Sequence, residues 1–186
     1  MSSVLITPVG SDDHVRGPAN APITLVQYGD YECPHCALAH VVLQQVFEEV
    51  GEHVRFVFRN FPIAETHPHA WAAAEAAESV AARGGEGAFW TMHDVVFENQ
   101  DALQHDELIE YAAAAGVDPV AVADDLASAA TRERVQRDVA SGMRSGVRGT
   151  PTFFVNGRRF EGDWTDPSAL TEALQDGTRG HTHTAH

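Results

Sequence analysis

The chain has 186 residues, of which 27 are acidic and 12 basic, all twelve of them Arg, for a formal charge of −15 at pH 7. That length can bury a substantial core as one domain, or as one domain with a helical insert. That charge, with no long basic run to offset it, argues against nucleic acid or an anionic membrane surface as a partner.

In chain order, Met1 to Pro8 has no basic segment and only three consecutive apolar residues, which is not a secretion signal, so a cytoplasmic location is expected. Residues 1–13 read as a flexible polar leader, and Val15-Arg16-Gly17-Pro18 with Ala21-Pro22 as a turn-rich approach. Ile23 to Tyr28 is a β-rich run ended by Gly29-Asp30. Ala39, Val42, Leu43, Val46 and Val50 then recur at helical spacing, and Gly51 stops that helix. Val54, Phe56 and Phe58 alternate with Arg55, Val57 and Arg59 as a second strand. Strand, helix and strand with a crossover of this length imply a right-handed parallel unit.

From about Pro68 to Gly146 nothing reads as a strand. Helical segments are expected over 70–83, closed by Gly84-Gly85, then over 88–98, 106–115, 119–127 capped by Asp118, and 131–145. Such a block cannot join the sheet, so it should cover one face of it. The sheet resumes at Thr152 to Val155. Asn156-Gly157 then predicts a hairpin into Arg158-Arg159-Phe160. A final helix starts at Asp166-Pro167 and is expected to stop at Gly177. No run approaches the roughly 18 apolar residues of a membrane span, so no membrane insertion is expected.

The only two cysteines, Cys33 and Cys36, sit between the first strand and its helix. A structural zinc site would need further ligands at set spacing, and none follow, so no metal is expected. A structural disulfide closing so short a loop would constrain the unfolded chain little. Redox chemistry is the favoured reading. At a helix N-terminus, unpaired N–H groups and the helix dipole stabilise a thiolate, which makes Cys33 the nucleophile and Cys36 the resolving thiol. A charged His35 would add to that stabilisation, and a neutral one could still donate to sulfur. Glu32 would act the other way by raising the thiol pKa.

Cys33-Pro34-His35-Cys36, followed more than a hundred residues later by Gly149-Thr150-Pro151-Thr152-Phe153-Phe154-Val155-Asn156-Gly157, resembles the DsbA family of thioredoxin-fold proteins over roughly residues 14–176. Arg59-Asn60-Phe61-Pro62 and His67-Pro68-His69-Ala70 resemble segments of its shorter bacterial members, among them soluble domains fused to some sodium/proton antiporters. The resemblance implies an α/β thioredoxin fold with a helical insertion between its βαβ and ββα halves. Residues 14–66 and 147–176 would form the thioredoxin-like domain, 67–146 the insertion, and 177–186 a disordered His-containing tail. It further implies a catalytic motif of Cys33, Pro34, His35 and Cys36, and a substrate-binding bend in which Pro151 follows a cis bond and Thr150 faces an extended peptide.

The implied activity is thiol–disulfide exchange with protein or peptide substrates, served by a redox partner and no cofactor. The alternative is a redox-switched binding module acting on a partner such as a transporter. One departure stands out. Six residues before Cys33, where such oxidoreductases commonly carry a buried acid, this chain has Gln27, expected to be a hydrogen-bonded core amide. Trp71, Phe89, Trp90 and Phe97 should pack the helical block, His67 and His69 cap or precede a helix, and Arg148 lie on the surface.

Overall fold

A computed structural model of the chain describes residues 3–179. The strands are β1 (His14–Arg16), β2 (Ile23–Gly29), β3 (Val54–Asn60), β4 (Thr152–Val155) and β5 (Arg158–Arg159). The helices are α1 (Pro34–Val50), α2 (Ala70–Glu98), α3 (His105–Ala114), α4 (Pro119–Ser128), α5 (Arg132–Arg144) and α6 (Pro167–Arg179). The five strands lie in the order β1-β3-β2-β4-β5. β2 and β3 are parallel, as α1 requires, and the other pairs are antiparallel.

β2 is buried on both faces. Ile23 and Leu25 face the larger core with Leu43 and Val46 of α1 and Leu170 and Leu174 of α6. Val26 and Tyr28 face a smaller core with Val57, Phe61, Val147 and Phe154. The insertion therefore reaches both faces rather than one. α2 brings Phe89, Met92 and Phe97 into the larger core, while Gly142 of α5 packs on the other side, where a Cβ would come within 2.8 Å of the Phe61 ring.

Three further expectations change. Residues 3–13, read as a flexible leader, are tied down: Arg159 N–H donates to the Ser3 carbonyl, Leu5 N–H to Gly157, and the buried Arg59 guanidinium to the Thr7 and Pro8 carbonyls and Asp13. The turn-rich approach begins with a strand, β1, too short to show any periodicity and defined by its pairing with the edge of β3. The stop at Gly177 is absent, because α6 runs on to Arg179. That glycine serves close packing instead: its carbonyl accepts from Asn156 Nδ2, and a Cβ there would come 2.9 Å from that nitrogen. The two helical segments expected over 70–98 meet without a break in numbering, but Gly85, at φ 83°, kinks them as the glycine pair suggested. The histidines at 181, 183 and 186 lie outside the described residues.

Candidate active site

The pair is placed by the β2–α1 turn. Cys33 is the N-cap of α1, in extended conformation, and Pro34 opens the helix where its missing N–H costs nothing. Both cysteines are free thiols. Cys33 is only 4 % exposed, so access to its sulfur is framed by exposed Pro34 and His35 and half-buried Thr150 and Pro151. The 149–152 bend is brought against the pair because β4 lies beside β2, with Thr152 opposite Tyr28. The Cys33 Sγ donates to the Thr150 carbonyl at 3.6 Å, and the Thr150–Pro151 bond is cis.

The two sulfurs are pushed apart in acidity. Cys33 falls to about 5, first through the hydrogen bond from the Cys36 thiol, then through Thr150 and the N–H groups of Cys36 and His35, against the opposing effect of burial. Cys36 is pushed well above the ordinary thiol value, first by burial and then because its proton is shared with Cys33. The Asp30 N–H reaches the Cys36 sulfur at 3.4 Å. The buried Thr150 hydroxyl has no hydrogen-bond partner, and its place beside the pair favours the ionised form of either thiol. His35 contributes through its backbone N–H, and its side chain is solvent-exposed.

Sequence reasoning missed how the acids beside the pair are neutralised. Glu32 accepts from the His69 N–H at 2.6 Å and pairs with His69 Nδ1 at 2.9 Å. Asp30, fully buried, accepts from the N–H groups of Glu32 and Ile63 and pairs with His67 Nδ1 at 2.8 Å. Burial raises the Asp30 pKa and the Ile63 and His67 contacts oppose it. His67 and His69 do precede α2, but their side chains reach back to hold the two carboxylates flanking Tyr31. Gln100, beyond α2, completes the cradle by donating to the carbonyls of Tyr31 and Cys33 at 2.9 and 2.8 Å.

Gln27 is buried, but its Nε2 has no protein partner, so the expected hydrogen bond is missing at that nitrogen. Phe89, Trp90 and Phe97 are core residues, Trp71 is partly buried against that core, and Arg148 is exposed.

Sheet order, crossover and insertion together define an α/β protein of the thioredoxin-like, DsbA type, with its cysteine pair at the start of α1. The chain belongs to the thioredoxin family, whose model matches residues 10–176. It is 42% identical over 171 residues to the Na(+)/H(+) antiporter NhaA 1 of Salinispora arenicola, covering 91% of this chain and 26% of that protein. The chain thus spans about a quarter of the length of that relative. Its fold is shared with BdbD from Bacillus subtilis (TM-score 0.85, 24% identity, 97% and 100% of the two chains). It is also shared with the thiol-disulfide exchange protein alpha-DsbA2 from Wolbachia pipientis (TM-score 0.74, 19% identity, 89% and 87%). No helix among the described residues is long and apolar enough to cross a membrane.

Proposed function

We propose that the protein is a thiol–disulfide oxidoreductase acting on protein or peptide substrates. The observation that carries this reading is the split between the thiols: Cys33 at about 5 is a thiolate at neutral pH, while Cys36 holds its proton. In the reductive direction the Cys33 thiolate attacks a substrate disulfide, forming a mixed disulfide and releasing one substrate thiolate, which takes a proton from solvent. Cys36 then loses its proton and attacks Cys33, releasing the second substrate thiol and leaving the Cys33–Cys36 disulfide. Two electrons pass to the substrate, and a dithiol or glutathione must restore the pair. In reverse, the oxidised pair delivers a disulfide. An extended substrate would pair with the Thr150 backbone as an added strand, setting its sulfur beside Cys33.

Direction follows from the reduction potential. A depressed thiol pKa stabilises the reduced pair and so favours oxidation of substrates, whereas a reducing compartment would favour net reduction. Equilibrating the pair against a glutathione buffer decides between them. Insulin reduction and dithiol oxidation assays test the enzyme itself: turnover should be present in the wild type and absent from Cys33→Ser, and a wild type without turnover would overturn the reading. A second reading, a redox-switched module acting on a transporter, is favoured by the antiporter name of a relative of which this chain spans about a quarter. It predicts that binding to the transporter partner differs between oxidised and reduced chain without turnover.

A further inference from the structure

His93 of α2 is buried within an aromatic shell, its ring 4.6 Å from Phe58, 4.9 Å from Trp90 and 5.0 Å from Phe97 between centroids. Facing it is His40 of α1, one helical turn beyond Cys36, at a centroid distance of 5.6 Å. Asp94 borders both, with its Oδ1 3.9 Å from His40 Nε2. One donor atom from each of the three lies within 4.8 Å of the others. Nothing in the thiol chemistry uses this group.

We propose that His40, His93 and Asp94 form a site for a divalent transition metal that ties the active-site helix to the insertion. Two imidazoles and one carboxylate with an open fourth position suit Zn²⁺, for which donors about 2 Å from the metal lie about 3.3 Å apart, so closure needs side-chain shifts of the order of 1 Å. The surroundings supply what ligation requires. Tyr31 engages Nδ1 of His93 at 3.0 Å, which fixes the ring and leaves Nε2 as the free nitrogen. Asp94 is one-third exposed and Gln44 is exposed, which opens a path from solvent. Two groups compete with the metal. Arg16 holds both oxygens of Asp94, at 3.0 and 2.7 Å, and Gln44 Nε2 lies 3.3 Å from His40 Nε2. Each carboxylate oxygen keeps a second lone pair, so Asp94 can serve Arg16 and a metal together, at reduced affinity.

The test uses the full chain with Cys33→Ser and Cys36→Ser, and with His181→Ala, His183→Ala and His186→Ala, so that neither thiols nor tail can bind the probe. Zinc at about a hundredfold excess over its Kd should raise Tm by roughly 5–10 °C. Co²⁺ should give the visible bands of a four-coordinate site, and His40→Gln and Asp94→Asn should each weaken binding at least tenfold. In the parent background, nitrogen NMR should show the His40 and His93 rings shifting together on zinc addition, a readout independent of whether either variant folds. Absence of a zinc-dependent shift, or cobalt binding unchanged in His40→Gln, overturns the site. Either result leaves the reading of Cys33 untouched.

Discussion

The insertion meets the sheet along two seams of opposite character. At the seam beside the cysteines, Gln100 donates to the Tyr31 and Cys33 carbonyls, while His69 meets the partly exposed Glu32 carboxylate and His67 the buried Asp30 carboxylate. At the far seam the contacts are buried ions. Glu78 of α2 accepts from His14 Nε2 at 2.9 Å and Asn60 Nδ2 at 2.8 Å, and Asp138 of α5 takes the Asn60 N–H at 2.9 Å and Arg134 at 2.6 Å. Removing one partner from a buried ion pair leaves its mate desolvated and unpaired, whereas a lost neutral hydrogen bond costs far less. The far seam should therefore govern stability, and the near seam the reactivity of one sulfur.

The largest break is at the far seam. Glu78→Ala removes the partner of His14 Nε2 and one of the two acceptors of Asn60 Nδ2, leaving His14 with Glu86 and Asn60 with Asp138, and should lower the unfolding free energy by about 3 kcal/mol in denaturant titration, while the Cys33 thiol stays at about 5. The same seam has a pH signature. Burial lowers the His14 pKa, but the hydrogen bonds and charges of Glu78 and Glu86 outweigh it, so the folded value lies above the ordinary 6.5. Its contribution to stability is therefore complete below about 6.5 and is lost as pH rises through the raised value. Stability of the wild type should decline on that alkaline side, and His14→Gln should flatten the decline.

At the near seam the order of effects reverses. Thr150→Val removes the hydroxyl that favours the Cys33 thiolate, and should raise that pKa by about one unit, equivalent to ~1.4 kcal/mol, with little change in Tm. Thiolate absorbance against pH measures it, and an unmoved titration would sever Thr150 from the sulfur. Gln100→Ala, the mildest, should cost about 1 kcal/mol. Its mark would be faster amide exchange at Cys33 through Cys36, with the β2–β3 ladder unaffected.

Much of this was legible beforehand. Alternation in 54–59 and the helical spacing after Cys36 identify the parallel unit, and Asn156-Gly157 identifies the hairpin. Helix-terminus chemistry points to a thiolate at Cys33, but the largest cause, the hydrogen bond from the Cys36 thiol, is a matter of how the two sulfurs meet in space. β1 left no trace because three residues cannot display a period. The cradle left a faint one: Asp30 and Glu32 flank Tyr31 at the same spacing at which His67 and His69 flank Pro68. Gln100 left none, since a lone polar residue after a helix is ordinary. Gln27 was visible as a missing acid, but its unpartnered nitrogen became evident only from its neighbours in space.

By itself the sequence determined which segments coil or extend, where the cysteine pair begins its helix, and that the insertion is helical, because propensity, periodicity and capping act within a few residues of chain. Only the tertiary structure decided what neutralises Asp30 and Glu32, what binds the Cys33 carbonyl, and that His40 and His93 face one another. Those partners lie tens of residues apart along the chain, and burial, which sets how strongly they act on one another, exists only once the core has closed.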